Sequence, residues 1–278
     1  MPELPEVETV RRGLRSEVVG RRIDRAEPTG VRTLRRHPDR SVVAPRLVGT
    51  TIDGVGRRGK FLAIGLSSGD ALVVHLGMSG QLLVRPSAEE RPRHTHVVLG
   101  LDDGRDLRFV DPRTFGEVFV TRPSVPGGLP DELGRLGFDP LEDRIGAAAF
   151  LRLLAGRRTR LKSLLMDQGF VAGIGNIYSD EILFGARLAH DRPANGLSPP
   201  EGRRLHRSML AVLDDAVARR GSSLADAQYR DVYGQLGQYQ LRHRVYGREG
   251  QPCTRCRTPI RRARVGGRSG YYCPRCQT

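Results

Sequence analysis

The chain has 278 residues, enough for about two domains that each bury a core, and its 46 basic against 31 acidic residues leave a formal charge of +15. Its opening has neither the basic cluster nor the apolar run of a signal peptide, and no stretch approaches the roughly 18 apolar residues of a membrane span. These features point away from secreted and membrane-spanning proteins and toward a cytoplasmic one with a polyanionic partner, nucleic acid before an anionic membrane. All but two of the basic residues are arginine, the exceptions being Lys60 and Lys162. Arginine stays protonated whereas lysine gives up its proton when buried. A lysine kept in this background marks a place that needs an ammonium, unless the two are remnants of drift.

In chain order, residues 5–19 come first, with Val7, Val10, Leu14 and Val18 spaced to one face of a helix that Gly20 stops. From Ile23 to about Arg122 follow short β-rich runs, among them Phe61-Leu62-Ala63-Ile64, Ala71-Leu72-Val73-Val74-His75-Leu76 and Glu117-Val118-Phe119-Val120. With Gly turns between them and Asp102-Asp103-Gly104 as a hairpin tip, they predict an antiparallel sandwich or barrel. Within them, Gly54-Val55-Gly56-Arg57-Arg58-Gly59-Lys60 imitates a P-loop and a Gly-x-Gly-x-x-Gly turn. Phe61 stands where Ser or Thr would hold magnesium and a strand follows, which speaks against a nucleotide site.

The Pro- and Gly-rich run at 123–130 breaks regular structure and opens a linker over 123–140. From about Asp139 to Arg220 the pattern is helical, carried by Phe150, Leu154, Leu161, Leu165, Leu205, Met209 and Val217, with Lys162 on a helix surface or in its packing stem. Residues 222–240 are polar and weakly patterned, which predicts a mobile loop. The expected division is therefore a domain at 1–122, the linker, a helical domain at 141–247 that includes the 222–240 loop, and a last module at 248–278.

That module holds every cysteine, in two Cys-x-x-Cys knuckles, Cys253/Cys256 and Cys273/Cys276, with 16 residues between them. Two such knuckles close a tetrahedron of thiolates around one structural Zn2+, with no open position for catalysis. Two disulfides are the alternative, but nothing points to an oxidising compartment. The 31 residues carry eight arginines and one glutamate, close to half the net charge. A stapled hairpin bearing Arg261, Arg262, Arg264 and Arg268 suits a run of phosphates.

The start Met1-Pro2-Glu3-Leu4-Pro5-Glu6 resembles that of the formamidopyrimidine-DNA glycosylase and endonuclease VIII family, and the resemblance runs the whole length. It continues through His75-Leu76-Gly77-Met78-Ser79-Gly80, Asp111-Pro112-Arg113-Thr114-Phe115-Gly116, Gly173-Ile174-Gly175-Asn176-Ile177-Tyr178, Val245-Tyr246-Gly247-Arg248 and the cysteine module, in that order. It implies an α+β multidomain protein: an N-terminal helix with an antiparallel β-sandwich, a helical domain containing a helix–two-turn–helix element, and a terminal β-hairpin zinc finger. It also implies a monomeric bacterial base-excision enzyme at the nucleoid, a DNA glycosylase and abasic-site lyase acting on damaged double-stranded DNA.

The chemistry fits the residues. Loss of Met1 would leave Pro2 with a secondary α-amine whose pKa near 8 keeps a nucleophilic fraction at neutral pH. The resemblance makes Glu3 the proton donor to the opening sugar and Glu6 its support. Alternatively, the two prolines start a helix and the two glutamates complement its dipole. A base inside a duplex is out of reach, so the nucleotide must be rotated out and the gap filled. By resemblance Met78 and Phe115 are apolar wedges and Arg113 faces the orphaned base, although taken singly Met78 and Phe115 would more often be core residues. Asn176 reads as an N-cap beside open N–H groups. By resemblance Asn176, Lys60 and Arg268 grip phosphates, with Tyr246 a further contact and Lys60 counted with the catalytic set.

Two features depart from the pattern: Thr114, where many purine-lesion members carry a second basic residue, and the 222–240 loop. The Glu3-Leu4-Pro5 start and the Met78, Arg113 and Phe115 set favour oxidised purines and formamidopyrimidines. Oxidised pyrimidines, as in endonuclease VIII, and a catalytically silent DNA-binding zinc protein are the alternatives.

Overall fold

The computed structural model describes residues 1–125, 127–224 and 229–278, so Pro126 of the linker and 225–228 of the expected loop lie outside the described residues. The chain forms two compact units, residues 1–135 with 220–238, and residues 136–219 with 239–278.

In the first unit, α1 (Leu4–Val18) starts where Glu3 and Glu6 close a capping box around a proline in the first turn. Its Val7, Val10, Leu14 and Val18 are fully buried, the face their spacing predicts. Eight antiparallel strands follow in two sheets. One runs β1-β6-β7-β5, from β1 (Ile23–Pro28), β5 (Gln81–Pro86), β6 (Thr95–Leu101) and β7 (Arg105–Val110); the other runs β2-β3-β4-β8, from β2 (Ile52–Arg58), β3 (Phe61–Leu66), β4 (Ala71–His75) and β8 (Glu117–Thr121). A short helix α2 (Val43–Leu47) lies between β1 and β2 in sequence. Inward side chains of both sheets, among them Leu62, Val74, Leu99 and Leu107, join the α1 face in one core, the alternation of a sandwich.

The stretch read as a polar mobile loop is, in its described part up to Gln238, built into this unit. Val232 is completely buried and Tyr229 nearly so. Val232 seats against Gly13, where an added Cβ would stand 2.5 Å from its Cγ2, and Val84 N–H donates to its carbonyl at 3.2 Å. Two anchors in a polar run are too few for a periodicity to reveal. Each nonetheless contributes about 1.5–3 kcal/mol on burial.

The second unit packs α3 (Ala147–Leu154), α4 (Leu161–Met166), α5 (Asn176–Ala186) and α6 (Pro199–Ala218), with edge-on contacts of Phe138 to Phe150 and Phe170 at 5.9 Å. A capping box of Ser198 and Glu201 starts α6, and Arg187 in the left-handed region ends α5. The hairpin β9 (Arg261–Val265) and β10 (Arg268–Tyr272) turns through Gly266 and Gly267, both at positive φ. Among the described residues no helix is long and apolar enough to cross a membrane.

Candidate active site

At the N-terminus Pro2, Glu3 and Glu6 are buried together. The Glu6 carboxylate accepts from Glu3 N–H at 2.8 Å and from Ser222 N–H at 2.6 Å, so residue 222 holds the first turn of α1 in place. Gly221 adjoins it at φ +72, and a Cβ there would stand 2.5 Å from Glu6 Oε1, so any larger residue would be strained and would have to displace the Glu6 side chain. The helix-start reading of these residues and the catalytic one are compatible in this geometry.

Lys60 opens the turn into β3 and is 7% exposed. Behind it lies a buried network that sequence reasoning missed. Arg57, with its side chain fully covered, donates to Glu8 at 3.1 Å and to Gly59 O at 3.0 Å. Burial pushes the Glu8 carboxyl up, but hydrogen bonds from Arg11 and Arg12 and the charges of Arg11 and Arg57 outweigh it and bring the pKa to about 2. A fixed anion on α1 thus orients the turn that carries Lys60. No sequence signal marked it, because Glu8 stands off the Val7, Val10, Leu14 and Val18 stripe, where a solvated polar residue would also stand. His75, paired with Phe61 across β3 and β4, is lowered to about 4, first by burial and then by the Lys60 charge. It is neutral at pH 7, which leaves Nδ1 free to accept from Gly77 N–H at 3.1 Å.

Met78, Arg113 and Phe115 stand on two joined loops. Asp111, fully buried, accepts from Ser79 Oγ at 2.5 Å and from Gly116 N–H at 2.7 Å. Gly77, at φ +63, lies so close to the second loop that a Cβ would sit 2.4 Å from Gly116 N. On that rigid base Met78 and Phe115 are 37% and 41% exposed, which disposes of the core reading. The Arg113 guanidinium lies 5.3 Å from the Phe115 ring centre.

In the second unit the structure corrects two expectations. Asn176 is the first residue of α5, with Gly175 as the cap, and its Oδ1 is buried without a partner among the described residues. Gly175 holds the non-helical cap conformation, φ −135 and ψ −150, and offers no side-chain hydrogen bond, which moves the helix start by one residue. Lys162 is on no surface: it is completely buried, with Nζ 2.5 Å from Asp180 Oδ1 and 3.3 Å from Ser179 Oγ. The far oxygen of Asp180 accepts from Tyr271 N–H at 2.9 Å. This pair therefore ties α4 and the start of α5 to β10, the strand that begins with Arg268. Burial pushes Asp180 up to about 7, opposed by the Lys162 charge and hydrogen bond. Tyr246 leans edge-on against Tyr271 at 5.3 Å, and buried Glu181 accepts from the N–H groups of Arg244, Val245 and Tyr246 at 2.9–3.0 Å.

The sulfurs of Cys253, Cys256, Cys273 and Cys276 all lie within 4.8 Å of one another, with Cys256 to Cys273 at 3.5 Å and Cys253 to Cys276 at 3.9 Å. A tetrahedron with metal–sulfur bonds of about 2.3 Å has edges of about 3.8 Å. The four thiols thus fit one structural zinc and not two disulfides.

Residues 1–118 match the Formamidopyrimidine-DNA glycosylase N-terminal domain, 136–228 the Formamidopyrimidine-DNA glycosylase H2TH domain, and 250–278 the zinc finger found in FPG and IleRS. A formamidopyrimidine-DNA glycosylase of Salinispora arenicola is 48% identical over 264 residues, 94% of this chain and 91% of that protein. The MutM (Fpg) protein of Thermus thermophilus superposes with a TM-score of 0.87 at 43% identity, covering 99% of this chain and 98% of the other. A Lactococcus lactis Fpg variant solved with Fapy-dG-containing DNA gives 0.88 at 32% identity, each chain covered in full. The motifs, both units and the cysteine module thus agree along the whole length: the chain belongs to the formamidopyrimidine-DNA glycosylase family.

Proposed function

We propose that this protein is a base-excision repair enzyme that removes oxidised purines, 8-oxoguanine and formamidopyrimidines, from duplex DNA and then nicks the strand, using Pro2 as nucleophile. The observation that carries the reading is the buried N-terminal cluster, in which Glu6 locks the backbone of Glu3 and Ser222 beside Pro2. Once Met1 is removed, the neutral Pro2 amine attacks C1′ of the flipped nucleotide. The bond from C1′ to the base breaks and the base leaves with that electron pair and a proton. Glu3 protonates the sugar oxygen as the ring opens, and the Pro2 nitrogen is left as an iminium. The iminium acidifies the neighbouring C2′ proton; its loss expels the 3′ phosphate, and a second elimination expels the 5′ phosphate.

Met78 and Phe115, exposed on a rigid base, fill the space that the rotated nucleotide leaves, and Arg113 meets the base opposite. Asn176, whose buried Oδ1 has no partner among the described residues and which has a helix start behind it, and Lys60, Arg268 and Tyr246 hold the backbone around the flipped nucleotide. Zinc takes no part in the reaction; Cys253, Cys256, Cys273 and Cys276 hold it to brace the Arg268 hairpin. The enzyme works as a monomer in the bacterial cytoplasm, at the nucleoid.

Borohydride trapping on duplexes with a single defined lesion tests the mechanism, because the mature chain offers three amines, Pro2, Lys60 and Lys162. The adduct is expected on the peptide that begins at Pro2, and an 8-oxoguanine duplex is expected to be nicked faster than one carrying an oxidised pyrimidine. An adduct mapped to either lysine, or efficient trapping by protein that retains Met1, would overturn the proline mechanism. The reverse order of rates would overturn the lesion class.

A further inference from the structure

Helix α6, the chain at 239–244 and the last turn of α5 line an open groove of about 520 Å3 in the second unit, along which Arg207, Arg242 and Arg244 are exposed, a volume within the roughly 300–1,000 Å3 of small-molecule sites. Four of its ten lining residues are arginines: Arg204, Arg207, Arg242 and Arg244. A chain that is about one-sixth arginine would place one or two there. Arg204 has a structural reason, since its Nε caps the Ala186 carbonyl at the end of α5. The other three take part in no ion pair among the described residues, although the Arg244 charge acts on the buried Glu181 carboxylate. Asp215 holds Arg219 at 2.9 Å, and Glu181 is occupied by backbone N–H groups. The negative end of α5 would repel an anion, but Arg204 and Arg255 already cover the carbonyls of residues 184–186.

Three permanently charged forks facing one concave space repel each other and concentrate positive potential. A single carboxylate neutralises one of them, whereas phosphate esters bring several charges on oxygens that guanidinium forks bind in pairs. We propose that this groove is a binding site for phosphate esters, distinct from the expected phosphate grip at Asn176, which lies nine residues away along α5, about 14 Å at 1.5 Å per residue. Two sources carry this chemistry, a free nucleoside polyphosphate and the DNA backbone beyond the lesion.

The test compares zinc-loaded wild type with the triple variant Arg207→Gln/Arg242→Gln/Arg244→Gln, none of which belongs to the proposed catalytic or DNA-gripping set. ATP is titrated by calorimetry, and undamaged 30-base-pair duplex by fluorescence anisotropy over a range of salt. At least a tenfold loss of ATP affinity in the variant assigns the site to free nucleotides. A salt dependence of duplex binding reduced by about two to three counterions assigns it to the backbone. Zinc content and trapping at an abasic site in a short duplex are expected to be unchanged, which controls for folding. In wild type, phenylglyoxal modification of Arg207, Arg242 and Arg244, mapped by mass spectrometry, is expected to be slowed by whichever probe binds. The proposal is overturned if the variant binds both probes as wild type does, or if neither probe protects these arginines. Neither arm depends on lesion chemistry, so a failure here is distinguishable from a failure of the glycosylase reading.

Discussion

Met78 and Phe115 are large apolar side chains that contribute little to the core, so replacing either with Ala is expected to change stability by less than about 0.5 kcal/mol. It is expected to slow cleavage of a base lesion in duplex much more than cleavage of a ready-made abasic site, which has no base to extrude. Equal losses on both substrates would instead mean that the loops carry a folding role. Gly77 makes the contrasting case. At φ +63, with Gly116 N 2.4 Å from the position of a Cβ, Gly77→Ala has to push two backbones apart at a cost of about 1–3 kcal/mol. Both the midpoint of urea unfolding and the rate on base lesions are expected to fall, while trapping at an abasic site persists. The motif around residues 75–80 was legible in the sequence, but the reason for its glycine was not. The partner backbone lies nearly forty positions away, and only folding brings it within van der Waals reach.

Local patterns announced the elements whose causes are local. The spacing of Val7, Val10, Leu14 and Val18 gave α1, and the two cysteine knuckles gave the metal site. Lys162 shows where such reading stops: its scarcity marked it, yet α4 has only six residues, too few to define a buried face, and Asp180 belongs to another helix. Removing one member of a buried ion pair strands the other, so Lys162→Met is expected to cost about 3–5 kcal/mol. Adding Asp180→Asn should recover part of that loss, since the amide oxygen still accepts from Tyr271 N–H and no charge is left unpaired. Urea denaturation of the single and double variants measures this, and a double variant no better than the single one would refute the pairing as the cause. Glu8 gives the corresponding pH test in the first unit. Its pKa falls from the ordinary 4.5 to about 2 in the fold, so its stabilisation is complete above about pH 5 and is lost as pH drops toward 2. The difference amounts to about 3 kcal/mol. The stability gap between wild type and Glu8→Gln is therefore expected to close over that interval, and a gap independent of pH would show that the network acts by packing alone.

For the whole molecule, the zinc site and the division of the chain matter most. Chelation is expected to abolish duplex binding by releasing the β9–β10 hairpin that carries Arg268, and one equivalent of zinc should restore it. Full binding and nicking by metal-free protein would contradict the bracing role. The division of the chain also bears on how the protein is made. Residues 220–238 complete the first unit, sealing Gly13 with Val232 and fixing Glu6 through Ser222. A ribosome that has finished residue 135 must therefore add about a hundred more before the N-terminal core can close. At about 5–20 residues per second, the nascent sandwich waits on the order of 5–20 s with that face of α1 open, the interval in which a chaperone or a protease has access to it.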